Sequence, residues 1–473
     1  MKIKKYYINT IGCQMNVYDS EQIAERLNLL GYIPEILVEA ADLVILNTCS
    51  IREKAEQKAF SFLGRLAKLK RKNPHLMVGV CGCVAQQEGQ KIIERMPHVD
   101  FVLGTQAIDR LPAAIEKIEK HSCRIVDVDM SQEIQETVDI LSPGKPQEVS
   151  RFVTIMRGCD NFCTYCVVPY VRGRETSRHP ENIVNEIKSL VAEGVREVTL
   201  LGQNVNSYGQ KQDLCDFPTL LKRINEIDGL SRLRFTTSHP KDLSDDLITA
   251  FQSVEKLCHH IHLPVQSGSN DVLARMNRRY TREKYLEMVA KLREICPEIA
   301  ITSDIIVGFP GESRADFEQT KTLIEHVGFD SLFAFIYSDR PNAPSGRFKE
   351  KIAEAEKKRR LQEIFDLQTG ITKKIHADMK GTVQEILVEG FSKKQANEKQ
   401  GRASDAVQWT GRTTGNKIVN FVQNNESCAD TRVEVGEMVR VKIEKTFPHS
   451  LWGSVVRCDS GHSLAKGEES YAA

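Results

Sequence analysis

Three cysteines, Cys159, Cys163 and Cys166, lie within the stretch RGCDNFCTYC at 157–166, with the spacing C-x3-C-x2-C. A cubane iron–sulfur cluster has four irons, and each normally takes a thiolate. Three packed thiolates with no fourth nearby hold three irons and leave one open to a small molecule. Two plainer chemistries compete. Cys163 and Cys166 alone form C-x-x-C, which is half of a zinc site or a redox dithiol. The next cysteine is Cys215, so a four-cysteine zinc site lacks its second pair, and a dithiol leaves Cys159 without a role.

Composition narrows the setting. The chain has 473 residues, 41% of them hydrophobic and 27% charged, which is ordinary for a globular protein of two to four domains. Thirteen cysteines, an odd number, argue for metal or redox chemistry over a disulfide framework. The opening MKIKKYYINT has the lysines of a signal peptide but no apolar stretch behind them, and the apolar runs elsewhere are short. A cytoplasmic monomer is therefore expected, with no membrane partner. The net charge of +1 gives no global attraction for nucleic acid, so RNA binding has to rest on local patches.

The elements that must position these cysteines fall into three groups. Residues 1–127 alternate strands and helices. Strands are expected at Tyr6–Thr10, Leu43–Leu46 and Leu76–Val80, with a helix capped by Asp19 and closed at Gly31. Cys13, Cys49 and Cys83 each follow such a strand, and in open parallel sheets ligands bind beyond the carboxyl ends. Three thiols distant in sequence can meet there and hold a second cluster. Alternation puts Cys81 and Cys83 on one face and does not choose between them. Residues 128–150 read as a linker. In 151–375, strands are expected at Phe152–Met156, Glu197–Leu201, Leu233–Thr237, His260–Val265, Ile299–Ile306 and Leu332–Ile336, a partial (β/α)6 barrel with its site at the carboxyl ends. Residues 376–457 carry five short strands of a small all-β, oligonucleotide-binding-like barrel, and 458–473 a polar tail. The fold class is thus α/β followed by a small all-β barrel.

At this point the residues resemble a family. RGCDNFCTYCVVPYVRGRE is similar to the core motif of radical S-adenosylmethionine (SAM) enzymes. TIGCQMNVYDS, NTCSIR at 47–52 and VGVCGC at 78–83 resemble the amino-terminal domain of the methylthiotransferases, and GRTTGNKIVNF at 411–421 resembles their TRAM domain. CQMN after Gly12, LLGQNVNSYG at 200–209, TSHPKDL at 237–243 and HLPVQSGSN at 262–270 favour the branch that modifies isopentenyladenosine in tRNA, next to the anticodon. The sister branches act on threonylcarbamoyladenosine in tRNA or on a ribosomal-protein aspartate. A protein of another class, an iron–sulfur or zinc RNA-binding protein without catalysis, is the remaining alternative. One segment departs from the family: YSPRPGTPA is common where this chain has Tyr337-Ser338-Asp339-Arg340-Pro341-Asn342-Ala343-Pro344.

The resemblance implies two [4Fe-4S] clusters and SAM as cofactors. Cys159, Cys163 and Cys166 would hold the cluster that binds SAM. Cys13, Cys49 and Cys83 would hold an auxiliary cluster, which selects Cys83 over Cys81. One SAM would give a 5′-deoxyadenosyl radical that removes a hydrogen from C2 of the adenine, and another would methylate the sulfur that is then transferred. An electron donor and a source that replaces the sulfur are implied, both unidentified. Tyr165 resembles the aromatic residue beside the SAM adenine, and Gln203, Asn204, Ser238, Gln266 and Asp304, at expected strand ends, are candidate SAM contacts. For RNA, Lys393, Lys394, Arg402, Arg412 and Lys417 lie among the last strands, where Trp409, Phe421, Phe447 and Trp452 either stack on bases or fill the barrel core. The basic runs KLKRK at 68–72 and KKRR at 357–360 are phosphate contacts or solvated helix faces.

Overall fold

The computed structural model describes residues 3–50, 53–130, 148–392, 407–423 and 433–456. The linker expected over 128–150 falls mostly outside them, as do Lys393, Lys394, Arg402, Cys428, Cys458 and the tail. Two compact units divide at Ile371 and Thr372. Among the described residues no helix is long and apolar enough to cross a membrane.

The first unit opens with a parallel sheet of β1 (Lys5–Ile11), β2 (Ile33–Pro34), β3 (Leu43–Thr48), β4 (Met77–Gly82), β5 (Phe101–Leu103) and β6 (Ile125–Asp127), in the order β2-β1-β3-β4-β5-β6. β3 and β4 are buried along their whole length, as a strand covered on both faces must be, and their near-continuous apolar runs follow from that. The strand order reverses beside β1, which opens a crevice at the carboxyl ends of β1 and β3. The expected helix is present as Gln14–Leu29, but its cap is Cys13 and not Asp19. Asn16 explains the difference: its side-chain oxygen accepts the backbone N–H of Cys13 at 3.2 Å and fixes the start of the helix there. Asp19 lies inside the helix.

Six further parallel strands follow in two sets of three. β7 (Ser150–Thr154) precedes a short antiparallel pair, β8 (Met156–Arg157) with β9 (Thr176–Ser177), and then come β10 (Glu197–Leu201), β11 (Arg232–Phe235), β12 (His260–His262), β13 (Ala300–Val307) and β14 (Ser331–Ile336). The sheets run β11-β10-β7 and β12-β13-β14. A parallel bridge between Leu233 and Leu257, where the Leu233 N–H donates to the Lys256 carbonyl and the Leu233 carbonyl accepts the Cys258 N–H, joins them into one arc. This is the expected partial barrel. Its outer helices are amphipathic. In Pro180–Ala192, Ile183, Ile187, Leu190 and Val191 face the core, Pro180 opens the first turn and Gly194, at φ +103°, turns the chain back.

In the second unit, β15 (Val383–Phe391), β16 (Gln408–Thr413), β17 (Ile418–Val422), β18 (Met438–Thr446) and β19 (Leu451–Val455) close a barrel in the order β15-β16-β17-β19-β18. Alternate residues such as Ile386, Val388, Val439, Val441 and Ile443 fill it, with Phe421 fully buried among them.

Candidate active site

Three neighbouring strands of the first sheet deliver the first group of thiols. Cys13 follows β1, Cys49 follows β3 and Cys83 follows β4, so the sheet order alone sets them side by side at the reversal crevice. The Cys49 thiol is within hydrogen-bonding reach of both Cys13 and Cys83. That contact, with burial opposing it and Arg172 assisting, lowers the pKa values of Cys13 and Cys83, while Cys49 as the shared donor is raised. Cys81 is elsewhere: it packs in the apolar core with Tyr6, Ile23 and Leu27. Alternation fails to separate the two cysteines because the strand ends between them. Gly82 has φ +90°, and Cys83 begins the next helix. A Cβ on Gly82 would collide with Asn47 and the Thr48 backbone, so only glycine makes this turn. Beneath the thiols, Asn47 donates to the Asn16 carbonyl at 2.8 Å and to Ser20 Oγ at 2.9 Å, locking two of the three strand exits together in a fully buried network.

Cys159, Cys163 and Cys166 lie on the loop that β8 and β9 pinch at its base, in the mouth of the partial barrel. The Cys166 N–H donates to the Cys163 carbonyl at 2.9 Å, and the Cys166 sulfur accepts the Val168 N–H at 3.4 Å. Burial pushes the Cys159 thiol up to about 11 and the Cys166 thiol up to about 12. Cys163 meets two nitrogens, Arg278 Nη1 at 3.3 Å and His239 Nε2 at 3.9 Å. Both thiol groups suit a thiophilic iron cluster, and among the described residues no three His, Cys, Asp or Glu are arranged around a single metal ion.

Around the mouth, Gln203 and Ser238 hold buried side-chain polar atoms with no partner: both amide atoms of Gln203 and the Ser238 hydroxyl. Buried polar groups are rarely left so, and these amide and hydroxyl atoms are open to a polar ligand. Gln266 sits at the end of the β12 segment with φ +74°, held by backbone bonds to Asp304 and Ile306 of β13. Asp304 faces His262 at 3.5 Å. Tyr165 lies against Arg278, at 3.3 Å from its phenol oxygen. Asn204 is turned inward instead, its amide bridging Ser207 Oγ at 2.8 Å and Asp242 at 2.7 Å.

Residues 5–104 match the family described as uncharacterized protein family UPF0004, 153–324 match the radical SAM superfamily and 377–456 match the TRAM domain. A tRNA-2-methylthio-N(6)-dimethylallyladenosine synthase of Desulfosudis oleivorans is 55% identical over 96% of this chain and 97% of its own length. The proteins of that name from Syntrophus aciditrophicus and Carboxydothermus hydrogenoformans are each 50% identical over 96% of this chain and 95% and 100% of theirs. The chain belongs to the tRNA-2-methylthio-N(6)-dimethylallyladenosine synthase family. Its fold is shared more distantly with the radical SAM methyltransferase TsrM of Kitasatospora setae, at TM-score 0.54 and 13% identity, over 72% of this chain and 75% of that one.

Family membership makes the departure at Asn342-Ala343 readable. Asn342 has φ +67°, the left-handed conformation that glycine takes freely and asparagine tolerates. Ala343 is buried with Cys83, Val167 and Val171. The exchange therefore keeps the backbone and puts a small apolar side chain against Cys83.

Sequence reasoning missed two arginines. Arg172, six residues past Cys166, is buried, and its Nη2 donates to Asp19 of the first helix at 2.7 Å. Thr105 and Gln106 donate to the Val171 and Arg172 carbonyls at 2.6 and 3.0 Å, so this short segment docks the barrel onto the sheet. Its place inside the cysteine motif was the available signal. Arg278, in MNRRY, had none: no spacing marks it. The basic runs turn out structural in part. Arg360 is buried against Glu312 at 2.6 Å, and Lys70 pairs with Asp100 at 2.7 Å.

Proposed function

We propose that this chain inserts a methylthio group at C2 of N6-isopentenyladenosine beside the anticodon of tRNA, giving 2-methylthio-N6-isopentenyladenosine. The observation that carries this is the coincidence of near full-length identity to synthases of that name with two separate cysteine triads, each at the carboxyl ends of parallel strands. Cys13, Cys49 and Cys83 would hold the auxiliary cluster, and Cys159, Cys163 and Cys166 the one that binds SAM. When bound, these groups supply the electron that cleaves SAM and the place where the donated sulfur is carried.

The chain's own residues do the rest. Gln203 and Ser238 would hydrogen-bond SAM and so gain the partners they otherwise lack, with Tyr165, Gln266 and Asp304 around it and Asn204 bracing the turn at His239. The Arg172–Asp19 pair ties the segment after Cys166 to the helix that follows Cys13. Cys49, Cys83 and Cys163 are buried and Cys13, Cys159 and Cys166 half-buried, which limits the access of water to a reactive radical. The target base has to leave its stack to enter such a mouth, and the TRAM barrel supplies a separate surface for the RNA. The division proposed is 1–127, 151–375 and 376–457, in a cytoplasmic monomer that draws on an external electron donor and an external sulfur source.

Anaerobically purified protein tests the cofactor half of this reading. A brown solution with about eight irons per chain is the expected result. A colourless protein loaded with zinc contradicts it.

A further inference from the structure

The barrel mouth contains a buried cation with no carboxylate paired to it among the described residues. Arg278 is 4% exposed, and its guanidinium donates to Cys163 Sγ at 3.3 Å, Tyr165 Oη at 3.3 Å, the Pro264 carbonyl at 2.7 Å and Tyr280 Oη at 3.0 Å. None of these partners is a carboxylate. Burying a guanidinium without a counter-charge is unfavourable, and several other buried arginines of the first unit have a carboxylate partner, among them Arg172 with Asp19, Arg234 with Glu197 and Arg360 with Glu312. An arginine side chain keeps its charge even in a protein interior.

The backbone goes to some trouble to present this side chain. Asn277 and Arg279, on either side of it, both have positive φ, +58° and +60°. Left-handed non-glycine residues are unfavourable and gather where function requires a particular geometry. The Asn277 amide donates to the carbonyls of Asn161 and Phe162, at 3.2 and 3.1 Å, which ties the strained turn directly to the cysteine loop. His239 approaches the same sulfur. Its Nδ1 accepts the Lys241 N–H at 3.2 Å, which leaves the proton on the Nε2 that faces Cys163.

We infer that Arg278 is the counter-ion of the cysteine triad at 159–166, a charge-balancing residue that, with His239, sets the potential at which the cluster held there accepts an electron. Net charge and hydrogen bonds to the sulfurs tune such potentials. A positive charge and a donor on a ligand thiolate stabilise the reduced, more negative state and raise the potential. This inference rests on the proposed cluster at Cys159, Cys163 and Cys166.

The test is a redox titration of the anaerobically reconstituted full chain, following the paramagnetic signal that changes when SAM is added. Arg278→Met and Arg278→Gln both remove the charge, and Gln keeps a donor. The midpoint should move to more negative potential in both, further in Arg278→Met, with SAM cleavage slower and SAM affinity unchanged. A midpoint equal to that of the wild type in either fully loaded variant overturns the inference. Loss of the cluster from both variants with unchanged thermal unfolding of the iron-free chain supports it, because the charge is then needed to hold an anionic group. Loss together with a lower unfolding temperature contradicts it and makes Arg278 a packing residue. A wild-type chain that binds no iron defeats the cluster reading itself, a separate failure.

Discussion

Cys159 and Cys49 belong to different triads, so single substitutions separate two steps of the proposed reaction. Cys159→Ala should abolish SAM cleavage, read as 5′-deoxyadenosine. Cys49→Ala removes the thiol shared by Cys13 and Cys83 and should leave SAM cleavage in place while ending methylthio transfer. Equal loss of both activities in the second variant contradicts the division of labour. Asn342 makes a simpler prediction. Asn342→Gly should be neutral in thermal unfolding, whereas Asn342→Val forces a β-branched residue into the left-handed region and should cost about 1–2 kcal/mol. At this scale the nearness of Cys13, Cys49 and Cys83 was legible because each follows a strand and strand ends mark where such side chains fall, while their role as ligands belongs to the proposal. The contact of Arg278 with Cys163 was not legible, because it comes from a turn more than a hundred residues away and nothing nearby in sequence announces it.

Elements were legible in proportion to how much apolar surface they bury. β10 was expected residue for residue, and β3 over its apolar run Leu43–Leu46, which a fully buried strand leaves in the sequence; the strand continues through Asn47 and Thr48. β2, β5 and β6, of two or three residues, were not expected: they are too short for a period and owe their pairing to β1, β4 and each other. The helix Arg314–Val327 shows an element serving the site from behind. Its capping residues Ser313 and Asp316 satisfy the first turn, and Asp316 also accepts Ser269 Oγ at 2.5 Å, steadying the loop that carries Gln266. Asp316→Ala should cost about 1 kcal/mol in thermal unfolding. Burial raises the Asp316 pKa, but the hydrogen bonds from Ser269 and Ser313 outweigh it and leave it lowered. A lowered carboxyl stabilises at pH above its ordinary value and loses that contribution as the pH falls through the folded value. The stability gap between wild type and Asp316→Asn should therefore be full near neutral pH and shrink in acid. A gap that widens in acid contradicts this assignment.

For the whole molecule, the order of sheet, partial barrel and small barrel was legible from changes in periodicity along the chain. The meeting of Cys13, Cys49 and Cys83 was legible only as a topological expectation, since it depends on which strands are neighbours. The RNA surface was the least legible part. Charge over 376–457 is nearly balanced, and the aromatics divide by burial: Phe421 is core, Phe447 is half exposed, and Trp409 stacks on Phe391 at 4.7 Å with Phe391 half exposed. Trp409→Ala, if the indole stacks on a base, should weaken tRNA binding by about 1–3 kcal/mol, read as a higher KM for tRNA, and leave SAM cleavage without tRNA unchanged. Phe421→Ala should instead lower barrel stability by about 3–5 kcal/mol. The central claim concerns the product, and one measurement reaches it directly: incubation of the reconstituted chain with isopentenylated tRNA, SAM and a reductant, followed by mass spectrometry of the digested nucleosides. The account predicts 2-methylthio-N6-isopentenyladenosine at the expense of N6-isopentenyladenosine. SAM cleavage with the isopentenyladenosine left intact would contradict it.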